Sequence, residues 1–301
     1  MLSPLRPWRR RVMLAAALVP LAGCARAARK TAAAVGSSTG NVAENIAYIA
    51  GSSDERHLLD VHYPTPTPGA KRPVVIYVHG GGWGRGDKRL GNNMAALYVA
   101  HGAVFVSVNY GLAPQTRYPG FLDDLAAAVR WVKDNVARYG GDPDRLSLVG
   151  HSAGAHLVAL LATDPQFLER QGLPVNIFRV VVPVDTASFN FLIDPYGWFV
   201  RRQIKIREEA FGTDRAVYAA ASPTLVAAKA RPGSLSPFMI FVGSKRDDAV
   251  AQSRAFAKAL HDSGNQGTVT LLDLGHAQMN QAIGDTSSPL AQALLARMEQ
   301  R

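Results

Sequence analysis

Gly150-His151-Ser152-Ala153-Gly154 holds a serine between two glycines, after a mostly apolar run at 146–149 and before an Ala- and Leu-rich run at 153–162. If a strand leads into this turn and a helix leads out, the hydroxyl stands clear of the sheet. The helix N-terminus then offers free N–H groups to negative charge growing on a substrate. Glycine is needed where a Cβ would meet neighbouring backbone. The same five residues would also suit a helix start with Ser152 as its cap. Nucleophilic chemistry therefore requires three further parts: donors for an oxyanion, a base and an acid.

His79-Gly80-Gly81-Gly82-Trp83 follows a second apolar run, at 74–78. Successive glycines leave amides uncovered, and a donor aligned on an oxyanion lowers the barrier by on the order of 3 kcal/mol. Gly81 and Gly82 are the donors expected here, with the N–H of Ala153 as partner. His79 should brace the loop and Trp83 should wall an acyl pocket. The loop has no G-K-[ST] ending, which argues against a phosphate loop. Acid and base should follow in the order Ser, Asp or Glu, His. His276 comes after the run at 269–272 and fits the base, whereas His261 falls in a helical pattern. The base would take the serine proton and return it to the leaving group. Asp247 and Asp248 follow the run at 238–242, and either could hold the second ring nitrogen. Spacing from the strand favours Asp247, and Asp248 also suits a helix N-cap; Asp248 is taken as the acid, with Asp247 as the alternative. The eight histidines contain no HExxH pair, so a catalytic metal is not expected.

These residues need a frame that brings distant loops to one edge. Short β-rich runs alternate with helical runs, the pattern of a mostly parallel sheet with helices on both faces. Strands are expected at 46–49 and 58–63 as a leading hairpin, then at 74–78, 104–108, 146–149, 180–182, 238–242 and 269–272. Helices are expected at 94–101, 122–138, 153–162, 252–262 and 290–300. Residues 185–235 break the rhythm with Phe189, Phe191, Tyr196, Trp198 and Phe199 and then a polar helix. They read as a helical cap inserted over the active site, or equally as a surface excursion with no substrate role.

Taken together, these motifs resemble the α/β-hydrolase superfamily and, within it, the esterases with an HGGG oxyanion loop. That group includes hormone-sensitive-lipase-like carboxylesterases, feruloyl-esterase-like proteins and kynurenine formamidases. The resemblance covers roughly residues 45–300. Leu59-Asp60-Val61-His62-Tyr63-Pro64 looks like the group's opening strand motif, and Asn109-Tyr110-Gly111-Leu112-Ala113-Pro114 like its D-Y-R-L-A-P stretch. Asn109 and Gly111 depart from the Asp and Arg of that stretch, and the acid loop is one residue longer than the usual G-x-x-D. The resemblance implies a serine hydrolase acting on small-molecule carboxylic esters through an acyl-enzyme on Ser152, without cofactor. An amidase or formamidase, or a feruloyl or acetyl-xylan esterase, uses the same parts. A catalytically silent envelope scaffold is the non-enzymatic alternative, because fold alone does not guarantee function.

The N-terminus reads as an address. Arg6, Arg9, Arg10 and Arg11 precede a short apolar region, Val12 to Leu21, and then Leu21-Ala22-Gly23-Cys24. That ending resembles the lipobox of bacterial lipoproteins, in which the cysteine becomes the lipid-bearing first residue. Residues 1–23 are expected as the signal peptide, 24–44 as a flexible tether and 45–301 as the hydrolase domain, anchored to the membrane through Cys24 in the cell envelope. Cys24 is the single cysteine, so no intrachain disulfide can form. The formal charge of +10 includes those four arginines. With no zinc-finger spacing, no RNP-like strand and no long Lys/Arg run, nucleic acid is not an expected partner.

Overall fold

The computed structural model describes residues 40–195 and 200–300; the expected signal peptide, Cys24 and most of the tether lie outside them. Eight strands are described: Asn41–Ala47 (β1), Leu58–Tyr63 (β2), Arg72–Val78 (β3), Val104–Val108 (β4), Gly141–His151 (β5), Phe178–Val184 (β6), Phe238–Gly243 (β7) and Gly267–Leu272 (β8). They form one sheet in the order β1-β2-β4-β3-β5-β6-β7-β8. β1 pairs with β2, and β2 with β4, in antiparallel fashion, and every later pairing is parallel. Asn41 pairs with Tyr63, so residues 41–44, read from sequence as tether, belong to the edge strand β1. Their mostly exposed side chains hide the strand from a periodicity argument.

The helices are Asn92–Ala100 (α1), Gly120–Asn135 (α2), Ala153–Leu161 (α3), Pro165–Arg170 (α4), Val200–Phe211 (α5), Arg215–Ala220 (α6), Pro223–Ala227 (α7), Asp247–Asp262 (α8), His276–Ala282 (α9) and Pro289–Glu299 (α10). Alternate residues of β3 feed two cores. Val74, Ile76 and Val78 face α2, α3 and α8, while Val75 and Tyr77 face α1, α9 and α10. A strand buried on both faces reads as a continuous apolar run, which is what makes 74–78 recognisable. Parallel strands all end at one edge, so the loops after β3, β5, β6, β7 and β8 meet there.

The segment at 185–235 carries α5, α6 and α7. It is not polar surface alone: Phe189, Phe191, Ala210 and Phe211 are buried in the same core as α2 and α3. Its first residue, Asp185, belongs to the sheet edge rather than to an insertion, because its N–H donates to the carbonyl of Phe241 on β7 at 2.8 Å.

Candidate active site

The nucleophile turn is shaped by close backbone packing. A Cβ on Gly154 would lie 2.2 Å from the carbonyl oxygen of Val78, and one on Gly150 would lie 2.3 Å from that of Gly154. Only glycine lets α3 start directly against the end of β3. Ser152 is thereby held at φ 57° and ψ −118°, a conformation that a non-glycine residue adopts at a cost of about 1–3 kcal/mol. The strain is held by packing and by the Ser152 N–H donating to the carbonyl of Val184 at 2.9 Å.

His276 is the first residue of α9, immediately after the β8 loop. Its Nε2 lies 3.0 Å from Ser152 Oγ. Its Nδ1 lies 2.5 Å from Asp185 Oδ2. The network assigns the tautomer: Nδ1–H donates to the carboxylate, leaving Nε2 free to accept from the serine hydroxyl. Ser152, His276 and Asp185 thus stand in a hydrogen-bonded series across three loops.

The acid is the correction to the sequence reading. Neither Asp248 nor Asp247 reaches His276. Both lie in the first turn of α8, where Asp248 Oδ1 accepts from the Ala249 N–H at 2.8 Å. The loop after β7 instead delivers Arg246. Asp185, after β6, takes the acid position with a fully buried side chain. It too has a left-handed backbone, φ 54°. Its Oδ1 accepts from the Gly243 N–H at 3.0 Å, and its Oδ2 from Arg246 at 2.8 Å. Burial pushes its pKa up, but the His276 hydrogen bond, the Arg246 charge and the Gly243 amide together outweigh burial and hold the carboxyl well below the ordinary range. The available signal is an aspartate directly following the buried run Val180-Val181-Val182-Pro183-Val184, at the edge where the serine stands.

The loop Gly80-Gly81-Gly82-Trp83 leaves the end of β3. Gly81, Gly82 and Trp83 all have positive φ, at 128°, 62° and 58°. Successive N–H groups in such a turn form a concavity suited to an anion. Among the described residues, no hydrogen bond occupies the amides of Gly81, Gly82 or Ala153. A Cβ on Gly81 would lie 2.0 Å from the carbonyl of Arg85, so the loop tolerates no side chain there. His79 braces it as expected: its Nδ1–H donates to the Gly80 carbonyl at 2.8 Å, its Nε2 accepts from Arg56 at 3.2 Å, and its ring stacks on Tyr110 at 4.5 Å. Burial pulls its pKa down to about 4, so it is neutral and serves the loop rather than proton transfer.

Trp83 packs into the core beside the loop. It is buried among Phe191, Phe211 and His156, and its Nε1–H donates to His156 Nδ1 at 3.2 Å. His156 Nε2–H in turn donates to the Ala221 carbonyl at 2.8 Å, joining α3 to the turn between α6 and α7. Above the loop, Ile206 of α5 would lie 2.9 Å from a Cβ on Gly82. The 185–235 segment therefore roofs the oxyanion loop.

His151 packs on the His276 ring at 4.6 Å and donates from Nε2 to the His276 carbonyl at 3.0 Å. Burial, then the neighbouring His276, lowers its pKa to about 4. Donor atoms of His151, Asp185 and His276 lie within 4.8 Å of one another, a spacing that a metal ion could use. The guanidinium of Arg246 already supplies the positive charge at this carboxylate, and Nδ1 of His276 is engaged with Asp185. That donor set suits a proton relay better than a cation.

A twisted, mostly parallel sheet with a strained serine after its fifth strand and a histidine after its last defines an α/β-hydrolase. Residues 59–260 match the BD-FAE family model, and the chain belongs to that family. Esterase LipQ of Mycobacterium tuberculosis is 32% identical over 242 residues, which is 75% of this chain and 55% of that protein. Carboxylesterase NlhH of the same organism is 40% identical over 122 residues, 40% of this chain and 37% of its own. The chain thus spans about half the length, or less, of these curated relatives. Among solved structures, Esterase B from Lactobacillus rhamnosis superposes with a TM-score of 0.72 at 25% identity, covering 87% of each chain.

Proposed function

We propose that the chain is a serine carboxylic-ester hydrolase with Ser152 as nucleophile, His276 as general base, Asp185 as the acid and the amides of Gly81, Gly82 and Ala153 as oxyanion donors. The observation that carries this is the continuous series Ser152 Oγ, His276 Nε2, His276 Nδ1, Asp185 Oδ2, with contacts of 3.0 and 2.5 Å. Similarity to named esterases supports the same reaction class.

As Ser152 Oγ bonds to the ester carbonyl carbon, its proton passes to His276 Nε2 and the carbonyl π pair moves onto oxygen, facing the free amides. Asp185 keeps the ring oriented and offsets the imidazolium charge without taking the proton. The intermediate collapses as the bond to the alcohol oxygen breaks and His276 returns the proton to it. Water then attacks the acyl-serine by the same route, His276 taking its proton and returning it to Ser152, which releases the carboxylic acid.

A p-nitrophenyl ester assay on the purified protein tests the reading. Ser152→Ala should lower kcat by about 10⁴- to 10⁶-fold, and a fluorophosphonate should label the parent but not the variant. Turnover surviving in Ser152→Ala would refute it.

The expected address is part of the proposal. Residues 1–23 serve as a signal peptide, Cys24 carries lipid, and the domain works tethered in a bacterial cell envelope. The Leu21-Ala22-Gly23-Cys24 ending supports this. Metabolic labelling with a fatty acid should mark the full-length chain and not Cys24→Ala; equal labelling of both would remove the anchor.

A further inference from the structure

Arg246 stands where the sequence predicts the acid. The loop after β7 carries a positive charge to the triad instead of a negative one. The guanidinium donates from one nitrogen to Asp185 Oδ2 at 2.8 Å and to the Asp185 carbonyl at 3.2 Å. That nitrogen also lies 2.9 Å from His276 Nδ1. Since Nδ1 directs its own proton at Asp185, this approach sets a cation against the ring rather than making a hydrogen bond. The other terminal nitrogen lies 3.7 Å from Asp248 Oδ2. Arg246 is thus strung between a buried carboxylate and a half-buried one, with its side chain only 25% exposed.

We propose that Arg246 is a positioning residue of the triad: it fixes the Asp185 carboxylate on His276 and, by placing a cation against Nδ1, opposes positive charge on the ring. This rests on the Ser152–His276–Asp185 reading above. The groups around the ring can be named from each element. His151, from the end of β5, is neutral and stacks on it. Asp185 comes from the β6 edge. Arg246 comes from β7, beside Lys245, which is paired with Asp273 at 2.8 Å before α9. Asp248 comes from α8, and α9 itself carries no charged residue after His276. The Asp185 carboxylate and the Arg246 cation thus face the ring with opposite charges at close range.

The test is the pH dependence of kcat/KM for ester hydrolysis in the parent, Arg246→Gln, Arg246→Lys and Asp248→Asn. In Arg246→Gln the acid limb should move to higher pH by about 0.5–1 unit, less than an unscreened charge would give because the His276 side chain is 45% exposed. Arg246→Lys should keep the limb near the parent's position, because the charge remains. In Asp248→Asn the limb should move slightly to lower pH, because Arg246 loses a counter-charge. A merely structural arginine would lower the plateau rate and leave every limb in place, and coincident limbs would overturn the proposal. If Arg246→Gln yields little folded protein, the rate of Ser152 labelling by a fluorophosphonate against pH reads the limb on folded molecules alone. Ser152→Ala distinguishes the two failures. Activity surviving in it would sink the triad reading, whereas an inactive Ser152→Ala with unmoved limbs would sink only the role of Arg246.

Discussion

The two sides of this site are built by different means. On the side of β3 and β5, the serine turn and the oxyanion loop are made of backbone, with glycines pressed against carbonyls and amides left free. On the side of β6, β7 and β8, the acid, the arginine and the histidine are side chains on separate loops, held by charge. The first side is fixed by steric contact, which allows almost no substitution. The second is fixed by electrostatics, which specifies where charges meet but not which loop supplies each one.

The comparison predicts two kinds of failure. Asp185→Asn should leave the shape nearly intact and lower kcat by about 10³- to 10⁴-fold, because the amide no longer orients the ring or offsets the imidazolium. Asp248→Asn should change plateau kcat by no more than roughly twofold, as for a substitution outside the relay. Steady-state ester hydrolysis by the two purified variants decides between the loops; the reverse ranking would return the acid to α8.

Gly154→Ala should fail the other way. The added carbon meets main-chain oxygens of Val78 and His79, and neither is the end of a flexible side chain. A loss of about 3 kcal/mol or more is expected, read as a fall of roughly 10 °C in the melting temperature. A variant that melts like the parent and merely turns over slowly would break the steric account of this side.

The same asymmetry decides how much is legible in the sequence. Steric demands leave glycines at fixed spacing, so Gly150, Gly154, Gly81 and Gly82 mark their half of the site by residue type alone. His276 is legible from chain order, since it follows the last strand. Asp185 is not, because an aspartate after β6 and one after β7 can reach the same ring, and loop length alone does not say which does. The residue beside the ring after β7 carries the opposite charge. Trp83 is ambiguous for a related reason: its type fits both a pocket wall and a core, and the Phe191 and Phe211 that enclose it lie more than a hundred residues away in the chain.

Acid should act on both sides at once. His79, His151 and His156 are buried, and burial lowers each pKa from 6.5 to about 4. In the unfolded chain they take up protons below about pH 6.5, and in the folded protein only near pH 4. Their stabilising contribution is therefore complete above pH 6.5 and declines as pH falls toward 4, by on the order of 1–3 kcal/mol for each ring. Asp185, lowered likewise, has the same sign at lower pH: its contribution is kept above its unfolded pKa and lost as pH falls further. Melting temperature should be flat from pH 8 to 7 and fall steadily below 6.5. A profile flat down to pH 4 would mean that these rings are already charged in the folded state.

A smaller effect tests whether the roof and the oxyanion loop are joined. Trp83→Phe keeps a ring for Phe191 and Phe211 to pack on but removes the donor to His156 Nδ1. His156 is fully buried, and its other nitrogen is held by the Ala221 carbonyl. The freed nitrogen therefore has no water to turn to, and about 1–2 kcal/mol of stability should be lost. If the loss stays in the aromatic cluster, kcat is unchanged. If the hydrogen bond helps hold the loop in register, kcat should fall a few-fold with little change in KM, since amides displaced from the oxyanion weaken the transition state more than the ground state. Pairing Trp83→Phe with His156→Phe separates the two, because coupling between the substitutions in kcat, beyond their coupling in melting temperature, would mean that the roof reaches the chemistry through this one bond.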